Sequence, residues 1–163
     1  MDFNSPESFL EKLNNWFNGL IAIPLLAIGY GYLEIFSGGI NGFIVVNIYL
    51  SIVIISMLVI YSIITTRNYK KSIGLIPKEG AMLERLSIYF TASKQFYIKI
   101  FIVSLIAVLG LYITGSITYA GFYAFLLFLL SIYRPSLLTV ATKLGMKGEE
   151  RKAFIKNAKT VIN

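Results

Sequence analysis

Apolar residues in this chain fall into long, nearly uninterrupted runs separated by shorter stretches that carry almost all of the charge. The runs 20–36, 43–64, 98–114 and 117–133 each approach the ~20 residues with which an α-helix, rising ~1.5 Å per residue, crosses ~30 Å of hydrocarbon. About four transmembrane spans are therefore expected. Pro24 interrupts the first and is expected to kink it, and Gly38, Gly39 and Gly42 make the following turn tight. The second is rich in Ile and Val. Only Thr114-Gly115-Ser116 separates the third from the fourth, which leaves room for a hairpin, and Arg134-Pro135 ends the apolar part.

Around these runs the pattern becomes amphipathic. Phe9, Leu10, Leu13, Trp16 and Phe17 recur at helical spacing, opposed by Glu11, Lys12 and Asn14. Ser5 suits an N-cap, Pro6 the first helical position and Glu7 the positive end of the helix dipole. Residues 1–19 thus predict an N-terminal helix lying in the membrane interface, with Trp16 as a belt residue. Within the stretch 65–97, Met82, Leu83, Leu86, Tyr89 and Phe90 form an apolar face against Glu84, Arg85 and Lys94, which predicts a second interfacial helix. The tail, 134–163, places Leu137, Leu138, Ala141 and Leu144 at helical spacing, breaks near Gly145 and Gly148, and ends in an amphipathic helix with Glu149 and Glu150 early and Lys156 and Lys159 late.

The fold class expected is an all-α integral membrane protein forming one membrane domain. Its plan is two helical hairpins in series, with amphipathic interfacial helices at the N-terminus, in the middle loop and in the C-terminal tail. Both hairpins enter from the same side, so the plan is not the inverted repeat of many transporters.

Composition narrows the chemistry. With 56% hydrophobic and 14% charged residues, against about a quarter charged in a soluble domain, the chain has too little polar surface to wrap itself in water. The spans leave no room for a separate soluble catalytic domain. The sequence holds no cysteine and no histidine, which removes disulfides, thiolate nucleophiles, imidazole metal ligands and Ser-His-Asp hydrolysis. It has no Walker loop, no Gly-x-Gly-x-x-Gly and no Gly-x-Ser-x-Gly elbow. No cofactor and no enzymatic activity are expected.

The net charge of +7 serves topology. Segments 37–42 and 114–118 contain no Lys or Arg, whereas residues 65–99 hold seven and residues 134–163 another seven. The positive-inside rule then places the middle loop, the tail and both termini in the cytoplasm. The chain begins acidic where a secretory signal is basic, and its first apolar run is too long for a signal core, so this segment is expected to be retained. A bacterial inner membrane fits that asymmetry.

Glu34 is the one acidic residue within a span. A carboxylate there is costly and marks an ion, proton or partner site by default, although its place in the last turn lets water reach it. Asn47 and Ser51 stand four residues apart on one helix face and would join Glu34 if the first two spans packed as a hairpin. Small residues pair at the same spacing in Ala27 with Gly31 and in Ala120 with Ala124, which permits close helix approach. Arg67, Lys70, Lys71, Arg85 and Arg134 are expected to meet anionic lipid head groups or a partner on the cytoplasmic side. Nucleic acid is not expected, for no aromatic-basic motif supports it.

The expected function is non-enzymatic: a small polytopic protein that binds another membrane protein as an accessory or immunity-type subunit. The alternative is a homo-oligomeric pore or small-solute path with Glu34, Asn47 and Ser51 near its mouth. A lipid-acting enzyme would need Glu79, Glu84, Arg85 and Lys94, which read instead as the wet face of an amphipathic helix.

Overall fold

A computed structural model describes residues 6–40, 42, 47–77 and 80–159. Among them all regular structure is helical: α1 (Pro6–Ser37), α2 (Ile48–Gly74), α3 (Met82–Thr114), α4 (Thr118–Ile132), α5 (Leu137–Lys143) and α6 (Gly148–Lys159). Three helices, α1 to α3, are long and apolar enough to cross a membrane. A fourth span results if α4 and α5, which meet at a 69° bend, are taken as one.

The long helices exceed what a bilayer needs. At ~1.5 Å per residue the 33 residues of α3 reach about 50 Å and the 32 of α1 about 48 Å. This corrects the expectation of separate helices at the N-terminus and in the middle loop. The segment 1–19 is not a helix of its own where it is described, because α1 runs unbroken from Pro6 through Gly19; one glycine costs a helix only about 1 kcal/mol. Likewise the middle segment is mostly helix, with α2 extending to Gly74 and α3 starting at Met82. Ser5 and the first residues of the second apolar run, 43–46, lie outside the described residues, as do the side chains of Glu7, Glu150 and Lys159.

Helix α3 is the centre of the bundle, packed against α1, α2 and α4. It runs parallel to α1: Phe9 meets Tyr89 and Phe90, Phe17 meets Tyr97, and the Tyr112 hydroxyl donates to the Ala27 carbonyl at 3.0 Å. Helix α2 returns antiparallel, bringing Tyr69 beside Ser93 and Phe96. The principal partner of both α1 and α2 is α3, so the first expected hairpin does not close as a packed pair. The second does, and Gly110 of α3 is where the Tyr119 ring of α4 lies so close that a Cβ would collide with it.

All turns without basic residues gather at one end. Gly42, at φ +75°, sits against the backbone of Thr114 and Gly115, and Gly115 itself ends α3 in the left-handed conformation that glycine adopts without strain. The basic segments share the opposite end. There Phe9, Leu13, Leu86, Tyr89, Val140, Leu144 and Phe154 are almost completely buried. The N-terminal apolar stripe, except the exposed Trp16, is thus sequestered by α3, in a layer that α5 and α6 complete.

On α2 hydroxyl-bearing residues dominate the buried face. The buried residues of α2 include Ser51, Ser62, Thr65, Thr66 and Tyr69, while Ile52, Val53, Met57, Ile60, Ile63 and Ile64 of the same helix are exposed. Two of those hydroxyls are internally satisfied, Ser62 donating to the Leu58 carbonyl and Thr66 to that of Ser62, each at 2.8 Å. Helix α1 adds exposed Leu26, Leu33 and Phe36, and α4 adds Phe128. In water such an arrangement wastes apolar area; in lipid, small and hydroxylated residues are the ones that let helices approach.

Candidate functional site

The structure distributes the residues singled out in the sequence rather than gathering them. Glu34 stands in the last turn of α1: its carbonyl accepts from the Gly39 and Ile40 amides at 2.8 and 3.3 Å, and its carboxylate folds over Gly39 beside the Tyr30 hydroxyl. Asn47 is the N-cap of α2, its side-chain oxygen accepting from the Tyr49 amide at 3.0 Å. Ser51 is buried on the inner face of α2. Because α1 and α2 pack on α3, the hairpin that was to unite these three is not the contact that forms.

Of the basic residues, Arg67, Lys70, Lys71 and Arg134 are exposed at the basic end. Arg85 is not. It is 4% exposed at the start of α3, inside the layer that buries Leu86 and Tyr89, so the expectation of a head-group contact there is corrected. Lys94 lies over the Trp16 ring at 4.4 Å, bridging α3 to α1. Glu84 is exposed, and Glu79 lies outside the described residues.

The densest chemistry is at the elbow between α4 and α5. Pro135 has no N–H and disfavours the α conformation in Arg134, so α4 stops at Ile132 and Ser136 caps a new helix, accepting from the Thr139 amide at 3.2 Å. Tyr97 satisfies the stranded Tyr133 carbonyl, donating its hydroxyl at 2.9 Å. Tyr69 stacks on Phe96 with centroids 4.5 Å apart and meets Tyr133 edge-on at 5.8 Å. Its hydroxyl is fixed in turn by Ser93 at 3.1 Å.

Two ammonium groups converge on this aromatic corner. Lys143 of α5 lies 5.1 Å from the centre of the Tyr69 ring and 5.6 Å from that of Tyr133, and Lys70 of α2 lies 5.9 Å from the Tyr133 centre. These are cation–π distances. Burial among the rings, and next the nearby Lys70 charge, lower the Lys143 pKa from the ordinary lysine value. Among the described residues neither lysine forms an ion pair.

Of these residues Lys70 was legible in the sequence and Lys143 was not. Its partners lie 10 and 74 residues away, and only the 69° bend turns α5 back onto α2. Behind Tyr69, between α2 and α3, a cavity of ≈ 40 Å³ is lined by polar residues including Asn68, Ser72, Gln95 and Lys99. In the bundle interior the space between Phe17, Tyr97 and Ser104 is ≈ 10 Å³, room for about one water. Compared with known protein families, curated proteins and solved structures, the chain matches none of them.

Proposed function

We propose that this chain is an integral membrane protein whose basic end faces the cytoplasm, held there by anionic lipid, and that it works without catalysis by presenting its outer helix faces to another membrane protein. The observation that carries the membrane part is the outer face of α2, where Ile52, Val53, Met57, Ile60, Ile63 and Ile64 are exposed while Ser51, Ser62, Thr65 and Thr66 are buried. The segregation of Lys and Arg supports the orientation, because the turns at Gly42 and Gly115 meet at the end that lacks them.

The partner role is supported by how much helix surface the bundle leaves open. Helix α2 is secured chiefly along the seam with α3. The row Ile102, Ile106, Leu109 and Ile113 of the central helix is exposed as well, although three helices surround it. A bacterial inner membrane and an accessory or immunity-type role remain part of this proposal, the first resting on the charge asymmetry and the second on the open faces.

The test is extraction from the native membrane. The protein is expected to resist alkaline and high-salt washes, to require detergent, and to leave the membrane in a complex with a stoichiometric second chain. A symmetric complex of this chain alone would replace partner binding by self-assembly. Release by the washes would overturn the membrane assignment itself.

A further inference from the structure

We infer that Lys70 and Lys143, gathered over the Tyr133 ring at the elbow of α4 and α5, form a binding site for a phosphate group, delivered by an anionic phospholipid head group or by free phosphate. The inference deepens the proposed membrane placement and rests on it.

Both ammonium groups lie within 6 Å of the centre of one ring. Burial among the tyrosines takes water from Lys143, and the Lys70 charge adds a repulsion that lowers its pKa further. The rings offset part of this cost, since a tyrosine face attracts a cation, but they leave the positive charge uncompensated. An anion drawn to this corner offsets the repulsion. The corner is also preorganised. Tyr69 is locked by its stacking on Phe96 and its bond to Ser93, and the Tyr133 backbone by the Tyr97 hydroxyl, so the ordering that opposes binding is confined to the two lysine side chains.

Its depth selects the anion. Tyr133 closes the last apolar run, Arg134 beside it is exposed, and Lys70 stands in the turns where α2 passes from Ile and Val to Arg and Lys. That is the level of the head groups, where phosphate is the abundant anion. A lysine ammonium suits it, being a strongly hydrated point charge that does not require the bidentate geometry of arginine.

The experiment is native mass spectrometry of the full chain in neutral detergent, titrated with phosphatidylglycerol or phosphatidylcholine. Phosphatidylglycerol is expected to bind more tightly, with Lys70→Gln and Lys143→Gln each weakening it about fivefold, the change that loss of one basic residue near a lipid surface brings. Lys143→Arg should keep most of the affinity. Lys152→Gln, on the exposed side of α6, should leave it unchanged. Lys70 is exposed, so its variant carries the test even if Lys143→Gln does not fold. Competition by millimolar inorganic phosphate, with the same dependence on the two lysines, assigns the site to soluble phosphate; absence of competition assigns it to lipid. Equal loss of lipid from Lys70→Gln and Lys152→Gln overturns the site. A chain that stays in solution without detergent overturns instead the membrane placement beneath it.

Discussion

Phe9→Ala separates a packed N-terminal segment from one that floats on the membrane surface. Phe9 is completely buried, with its ring centre 6.1 Å from that of Tyr89 and 6.0 Å from that of Phe90. Removing a fully buried phenylalanine costs about 3–5 kcal/mol, the transfer loss and the cavity together, of which about 0.5–1.5 kcal/mol per pair reflects aromatic geometry. The first turns of α1 open locally when that contact is lost. Amide hydrogens of residues 10–20 should therefore exchange at least about a hundredfold faster in the variant, since about 1.4 kcal/mol is a factor of ten. A phenylalanine lying at an interface shields less of its area, and its loss is worth on the order of 1 kcal/mol, or about fivefold. The assay is hydrogen exchange read by mass spectrometry in mild detergent, with Glu11→Ala as the exposed control. An acceleration below about fivefold would refute the buried placement of α1 against α3.

Glycine substitutions should split by environment: Gly110→Ala forces a Cβ into the Tyr119 ring and costs about 1–3 kcal/mol, whereas Gly121→Ala meets open space and gains up to about 1 kcal/mol of helix propensity. Opposite shifts in the thermal midpoint check this. Tyr97→Phe strands the Tyr133 carbonyl and should cost about 1–2 kcal/mol by the same measurement. Lys143→Met has a pH signature. Because folding lowers the Lys143 pKa, the folded chain loses this proton first, and between the lowered value and the ordinary 10.5 the unfolded chain holds more protons, so wild-type stability rises with pH in that window. Below it the penalty is fully present and the methionine variant is the more stable; the advantage should shrink as pH approaches 10.5, and a difference that does not change with pH would count against the burial of this ammonium between the rings.

The legibility of this protein follows from which forces are local. Runs of 17 or more apolar residues and a lopsided distribution of Lys and Arg are properties of composition along the chain, and they determine that long helices form and that the basic segments lie together. Glycine and proline act equally locally, so the turns near Gly42 and Gly115, the stop at Arg134-Pro135 and the break at Gly145 were all legible. Which face of a helix meets which neighbour was not. Leu13 and Leu26 are chemically the same, yet one is buried and the other 74% exposed, because in a chain this apolar the hydrophobic pattern no longer distinguishes protein from lipid.

Only the tertiary structure decided that α3 is central, that α1 packs along it rather than on α2, and that most of the N-terminal stripe is spent on Tyr89, Phe90 and Tyr97 rather than on the membrane surface. A faint trace of this lay in α2, where Ser51, Ser62, Thr65 and Tyr69 recur at the three-and-four spacing of one helix face. Lys143 left no such trace. Its meeting with Tyr69, Tyr133 and Lys70 depends on a 69° bend between two helices, and a bend of that kind sets distances in space that no spacing along the chain encodes.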